Sequence, residues 1–260
     1  MTISMPAART VWLATLLMAA FPLPPSAQLA FDAATIKESK SLAGGGSLRF
    51  MPGGGITAAH IPARAFITIA YELQTFQLVG VPDWTRSAYY DLVAKPAGTA
   101  TREQSLAMLQ ALVAERFTLT FHREKRQMDG FALVRARANE LGPGLRPSTL
   151  NCEKDLATEP KCLQGRITFE APVTTMKSIG QPIQRIVQTV VGAIGAPVTD
   201  DTGLTGTFDI DLRWTTDVAP TDDIPSLVTA LQDQLGLKLE RRRVTEGVFV
   251  VDHIERPAPH

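Results

Sequence analysis

Apolar and polar positions change their period twice between Ile224 and Ile254, in IPSLVTALQDQLGLKLERRRVTEGVFVVDHI. Leu227, Val228, Leu231 and Leu235 recur at the helical spacing and define one apolar stripe. Gly236 follows the last of them, where a helix ends best on a residue tolerant of positive φ. Leu237 and Leu239 then alternate with Lys238 and Glu240, a period of two. The polar stretch closing on Glu246-Gly247 reads as a turn, and Val248 to Val251 as a second, buried strand. The pattern predicts a helix feeding an antiparallel hairpin.

The same succession runs earlier in the chain. Phe31 to Lys37 reads as a strand, and the glycine tracts 44–46 and 53–55 flank a short one at Leu48 to Phe50. Pro62 opens a helix carrying Phe66, Ile67, Ile69, Ala70 and Leu73. Phe76 to Val79 is extended, Val81 to Trp84 a turn, and Tyr89 to Ala94 a strand. Thr101 and Gln104 form a capping box for a helix with Leu106, Leu109, Leu112 and Val113. Strands at Phe117 to Phe121 and Phe131 to Val134 follow, and 139–160 is loop. In the second half Arg166 to Phe169 answers Leu48 to Phe50. The helix after Pro182 answers the one after Pro62, and Phe208 to Trp214 answers Tyr89 to Ala94. The fold class this predicts is α+β: two tandem, duplicated β-α-β-β-α-β-β units with mostly antiparallel sheets and helices on one face. The boundaries are 29–138 and 165–260, joined by a linker loop at 139–164.

Composition adds two constraints. Lysine plus arginine (26) equals aspartate plus glutamate (26), so no global basic field draws nucleic acid, and Arg241 to Arg243 reads as a solvated strand end. At the start, Arg9 precedes the apolar run Val11 to Phe21, then Pro22, Pro24, Pro25 and Ser26-Ala27. That is the layout of a secretory signal peptide over 1–28, cleaved between Ala27 and Ala30, the alternative being an uncleaved N-terminal anchor. The remainder holds no run long and apolar enough to cross a bilayer, so an exported, periplasmic or extracellular protein is expected. The two cysteines, Cys152 and Cys162, are then expected to form one disulfide across the linker loop.

Little points to catalysis. His60, His122, His253 and His260 lack metal-ligand spacing, and no catalytic residue, metal ligand or cofactor is nominated. Asp209 and Asp211 share one strand face, expected to be solvated; with His122 they are the candidates for a hydrolase. Candidate binding residues are Trp84 and Trp214, as interface anchors, and Gly203 and Gly206, where backbone can approach a ligand.

Several words are distinctive: FDAATIKESK, VPDWTRSAYYDLVAKP, LQALVAERFTLTFHRE, DDTGLTGTFDIDLRW and ALQDQLGLKLERRRVTEGVFVVDHIERP. They resemble the soil-associated family of exported bacterial proteins, a domain of unknown function, over essentially the whole chain after residue 28. One departure is Glu38-Ser39, where relatives run on from the lysine into Pro-Ser. The helix-Gly-strand-turn-strand unit is also similar to the short N-terminal domain of secretins and TonB-dependent receptors. The resemblance implies no catalytic residues. The expected function is a non-catalytic exported binding or adaptor module for envelope protein or peptide, with an envelope hydrolase and a structural surface protein as alternatives.

Overall fold

The computed structural model describes residues 30–40, 45–138, 140–152, 162, 166–170, 172–216 and 224–258. The proposed signal peptide and most of the linker loop lie outside the described residues. The described chain is α+β and is organised by its two longest strands, β6 (Thr120–Arg135) and β12 (Leu237–His253). They pair antiparallel over almost their whole length, from Leu237↔Arg135 to His253↔Thr120. The two predicted hairpins are therefore each one continuous strand. Gly247 does not take a positive φ. The polar run that mimicked a turn is instead the solvated face of a ribbon whose backbone groups are satisfied by the partner strand.

Each half adds an outer sheet. In the first, β1 (Phe31–Glu38), β2 (Ser47–Phe50), β3 (Ile56–Pro62) and β5 (Tyr89–Pro96) lie in the order β1-β5-β3-β2. In the second, β7 (Leu145–Pro147), β8 (Arg166–Glu170), β9 (Val173–Pro182) and β11 (Thr207–Thr215) lie in the order β7-β11-β9-β8. The chain thus lays down its four strands in the same spatial order twice. Two short strands, β4 (Leu78–Val79) and β10 (Val198–Asp200), complete the central sheet, β10-β6-β12-β4. They cross over: β4, from the first half, runs parallel to β12, and β10, from the second, runs parallel to β6.

Helices fill the space between sheets. In the first half α1 (Ala63–Ala70) and α3 (Arg102–Arg116) pack together, with α2 (Trp84–Ser87) beside α1. Phe66, Ile67, Leu109, Val113 and Phe117 meet Leu92 of β5 and Phe249 of β12 in one core. The capping box of α3 forms as predicted: the Gln104 amide donates to Thr101 Oγ1 at 3.3 Å and the Thr101 amide to Gln104 Oε1 at 2.9 Å. In the second half α4 (Gln184–Ile194) and α5 (Leu227–Ala230), which continues as a π turn over Leu231–Leu235, enclose a second core. Leu227, Ala230, Leu231 and Leu235 form its helical stripe, but Val228 is 54% exposed and does not belong to it. The π turn after α5 exits through a left-handed residue, Gly236 (φ 70°), and α3 does so through Thr118 (φ 48°).

Strands β3 and β9 escaped the sequence pattern for different reasons: β3 buries Ile56, Ala58 and Ile61, an alternation broken by its bulge, whereas β9 places the polar Thr174 and Ser178 in the core. Each of these strands bulges at a residue of positive φ, His60 (50°) and Gly180 (59°). An aspartate on the neighbouring strand satisfies each bulge: the His60 amide donates to Asp91 Oδ1 at 2.7 Å and the Gly180 amide to Asp209 Oδ1 at 3.0 Å. Asp209, expected on a solvated face, is therefore half-buried and structural. Cys152 and Cys162 are joined, and the Cys152 amide donates to the Gly180 carbonyl at 2.9 Å. A Cβ at residue 180 would lie 2.9 Å from Cys152 Sγ and 2.8 Å from the Leu150 carbonyl oxygen, so only glycine fits the bulge beneath the disulfide.

Two stability predictions follow from this packing. Leu231 is fully buried, so Leu231→Ala should cost about 2–5 kcal/mol in urea melts. Asp91→Ala and Asp209→Ala each remove a charged acceptor from a bulge amide and should cost about 1–3 kcal/mol in the same melts. An Asp209→Ala midpoint equal to that of the parent would show that the bulge holds without its carboxylate.

Candidate functional site

Strand β8 is an edge of its sheet, hydrogen-bonded to β9 on one side, with no strand on the other among the described residues. Ile167 pairs with Met176 and Phe169 with Thr174, and both partners are buried, so Ile167 and Phe169 project on the core face of the sheet. Yet Phe169 is 77% exposed. Beside it a cleft of about 500 Å³ opens between the end of the sheet, the outer turns of α4 and the start of α5. Trp214 and Thr174 line the sheet side, Gly192 and Ile194 the α4 side, and Leu227 the end.

The chemistry of the cleft is apolar with satisfied polar edges. The Thr189 hydroxyl donates back to the Arg185 carbonyl at 2.9 Å, and those of Thr215 and Thr216 to the Pro172 carbonyl at 3.2 and 3.3 Å. Among the described residues none that lines the cleft is ionisable. The described lining can bury an apolar group and offers it no acid or base. Gly192 faces open space: a Cβ there would meet no atom within 4 Å.

The first half closes the corresponding place. Phe50 ends the edge strand β2 as Phe169 nearly ends β8, and the Arg102 guanidinium of α3 covers its ring at 4.3 Å. The buried Ser105 hydroxyl ties the same turn of α3 to the Gly54 carbonyl at 2.9 Å.

Of the four binding residues expected from sequence, the structure brings only Trp214 to this cleft. Trp84 packs half-buried against the first core, with the Arg256 guanidinium 5.0 Å from its ring. Gly203 and Gly206 take φ of 65° and 87° in a turn that satisfies itself: Thr202 donates to Asp200 Oδ1 through its amide (3.0 Å) and hydroxyl (2.7 Å). Their glycine identity answers to backbone conformation. The hydrolase candidates stand apart, each with its own partner. The imidazole Nδ1 of His122 lies 2.8 Å from Asp252, Asp209 holds the β9 bulge, and Asp211 pairs with Lys177 at 3.3 Å. Among the described residues no three His, Cys, Asp or Glu side chains gather as a metal cluster would. Sequence reasoning missed Phe169 and Gly192. The only signal for Phe169 was an aromatic residue two from Ile167 in a strand too short to show a period.

Fold and cleft together define an α+β protein with two like-ordered outer sheets, a shared central ribbon and an apolar opening at a sheet edge that no described strand covers. The chain matches a family described as a protein of unknown function, DUF3738, over residues 64–254, and it belongs to that family. Every described residue lining the cleft falls inside the matched span. No curated protein and no solved structure matches the chain.

Trp214 and Phe169 should behave oppositely on truncation. Trp214, 4% exposed, should cost about 3–5 kcal/mol as Trp214→Ala. Phe169→Ser should leave the urea midpoint within about 0.5 kcal/mol, because the ring is solvated.

Proposed function

We propose that the protein is an exported, non-catalytic binding or adaptor module of the cell envelope, and that it takes an extended peptide of a partner protein along β8. The observation that carries this reading is the exposed Phe169 on a strand edge that no other described strand pairs, next to a cleft whose described lining is apolar and without an ionisable group. An added strand gains main-chain hydrogen bonds from the edge, and alternate side chains of the peptide reach the cleft beside Trp214. A branched aliphatic or aromatic side chain suits its volume. The Cys152–Cys162 disulfide supports an oxidising compartment, as does the signal-like Val11 to Phe21 run. No described helix is long and apolar enough to cross a membrane. The resemblance to soil-associated exported proteins and to the short N-terminal domain of secretins and TonB-dependent receptors agrees with an envelope role.

The same reading takes the two halves as an internal duplication. Its support is the repeated strand order, the paired bulges held by Asp91 and Asp209, and the reciprocal crossing of β4 and β10. One copy then keeps its edge cleft open while the other closes it with Arg102 and Ser105.

The test is fluorescence. In Trp84→Phe protein, Trp214 is the only tryptophan after residue 29. Titration with extended peptides that alternate apolar and polar residues should change its emission intensity saturably, because the peptide side chain packs against an indole that is already buried. Gly192→Leu, which fills the cleft from a helix position with free space, should weaken binding about tenfold or more while leaving the fold intact. Binding that survives both Gly192→Leu and Phe169→Arg would place the peptide elsewhere and end this reading.

A further inference from the structure

The central ribbon carries a charge distribution that net neutrality conceals. Between the two cores, β6 and β12 run side by side from Arg123 to Asp129 and from Arg241 to Gly247, with Gln127 opposite Thr245 at the midpoint. Successive residues of a strand alternate faces. One face of this waist therefore holds Arg123 and Lys125 from β6, and Arg241 and Arg243 from β12, all exposed. Asp129, paired with Arg243 at 3.2 Å, is the one carboxylate among them. Four cations thus face one anion. The opposite face of the same segments is balanced: Arg126 pairs with Glu124 and Arg242 with Asp201, and Val244 and Val248 are buried there. Among the described residues Arg123, Lys125 and Arg241 hold no ion pair.

The placement is symmetric. Arg123 lies opposite Phe249 and Arg241 opposite Phe131; Lys125 lies opposite Gly247 and Arg243 opposite Asp129. The cations form two dibasic steps related by a two-fold axis through Gln127 and Thr245. At about 3.4 Å per residue, the inner pair is separated by roughly 14 Å and the outer pair by roughly 27 Å along the ribbon. At one end a cleft of about 650 Å³ opens between Ala196 and Arg241 to Arg243. This face is separate from the β8 edge.

We propose that this face is a binding surface for a linear acidic polysaccharide. Charge complementarity selects an anionic partner. The row is one ribbon wide and several cations long, which suits a chain. Between the dibasic steps stand Gln127 and Thr245, whose amide and hydroxyl match sugar hydroxyls. The waist offers no aromatic ring between the steps, where single-stranded nucleic acid would need one for base stacking. The absence of an exposed apolar side chain between the steps likewise disfavours insertion into a lipid surface.

The experiment measures binding of the full chain to oligosaccharides of defined length by titration calorimetry. One series is sulfated (heparin fragments) and one carboxylated (oligogalacturonates). Fragments spanning the outer pair, roughly 27 Å, should bind at least about tenfold more tightly than fragments shorter than the inner separation of roughly 14 Å. The affinity should fall steeply with salt. The double variant Arg123→Glu with Arg241→Glu should weaken binding about tenfold or more, while Arg126→Glu, the same kind of charge reversal on the opposite face, should change it less than about twofold. Both variants alter exposed side chains, and a thermal melt confirms that each is folded. Three results would overturn the proposal: equal loss in the Arg126→Glu variant, free sulfate binding as tightly as the long fragments, or tighter binding to phosphatidylglycerol vesicles or single-stranded DNA than to either oligosaccharide. Failure here leaves the β8 reading untouched, because neither variant lies at that edge.

Discussion

The pairing of β6 with β12 is the constraint on which the other elements depend. A two-stranded ribbon in water is marginal on its own and needs a hydrophobic face or a third strand to persist. Here both ends of the ribbon are driven into cores: Phe121 and Phe249 stack at 3.6 Å in the first, and Leu133 and Leu237 are fully buried in the second. Its flanks are protected by β4 and β10, and each arrives from the half whose long strand it does not touch. The halves are therefore interlocked through backbone hydrogen bonds rather than set side by side. Arg135 and Leu237, partners at one end of the ladder, are 102 residues apart, so loop-closure entropy must be overcome before the ladder contributes.

Interlocking also explains how the outer sheets can share a strand order while their edges differ. Each needs only to present its core face to the helices, and each fixes the bend of its third strand with one aspartate and one positive-φ residue. Histidine tolerates that position in β3, stacked on Tyr89 with centroids 4.3 Å apart. In β9 the disulfide and the Leu150 carbonyl press on the same place, and only glycine fits. The edge strands beyond these bulges carry no such constraint. β2 is sealed by the first turns of α3, and β8 is left with its aromatic residue in solvent.

Most of the elements were legible as period. The α3 capping box, the stripe through Leu227, Leu231 and Leu235, and the alternation along β5 and β11 all appear where sequence places them. What failed shares a physical cause, because local polarity does not report where a backbone finds its hydrogen bonds. Arg241 to Gly247 has the composition of a turn and is strand because a partner from the other half satisfies it. Asp209 alternates as a surface residue should, yet its acceptor is spent on an amide made free by a bulge in a different strand. Thr118 holds a left-handed conformation that no residue preference announces. The site was less legible still. Trp214 was identified by type alone, whereas Phe169 matters through exposure, a property of the edge it occupies and of the space beneath it.

The two surfaces differ in what sequence can say about them, and the difference is instructive about net charge. Equal numbers of acidic and basic residues exclude a field over the whole molecule. They do not exclude a local one, because screening at physiological salt confines the interaction of exposed charges to about 8 Å. Within that range the waist of the ribbon is governed by its own cations, and alternation decides which of them act together. A run of three arginines contributes two to one face and one to the other, where Arg242 meets Asp201. The matching pair, Arg123 and Lys125, lies more than a hundred residues upstream and joins them only through the register of the ladder. The same pairing that holds the two cores together thus also assembles a strongly cationic face.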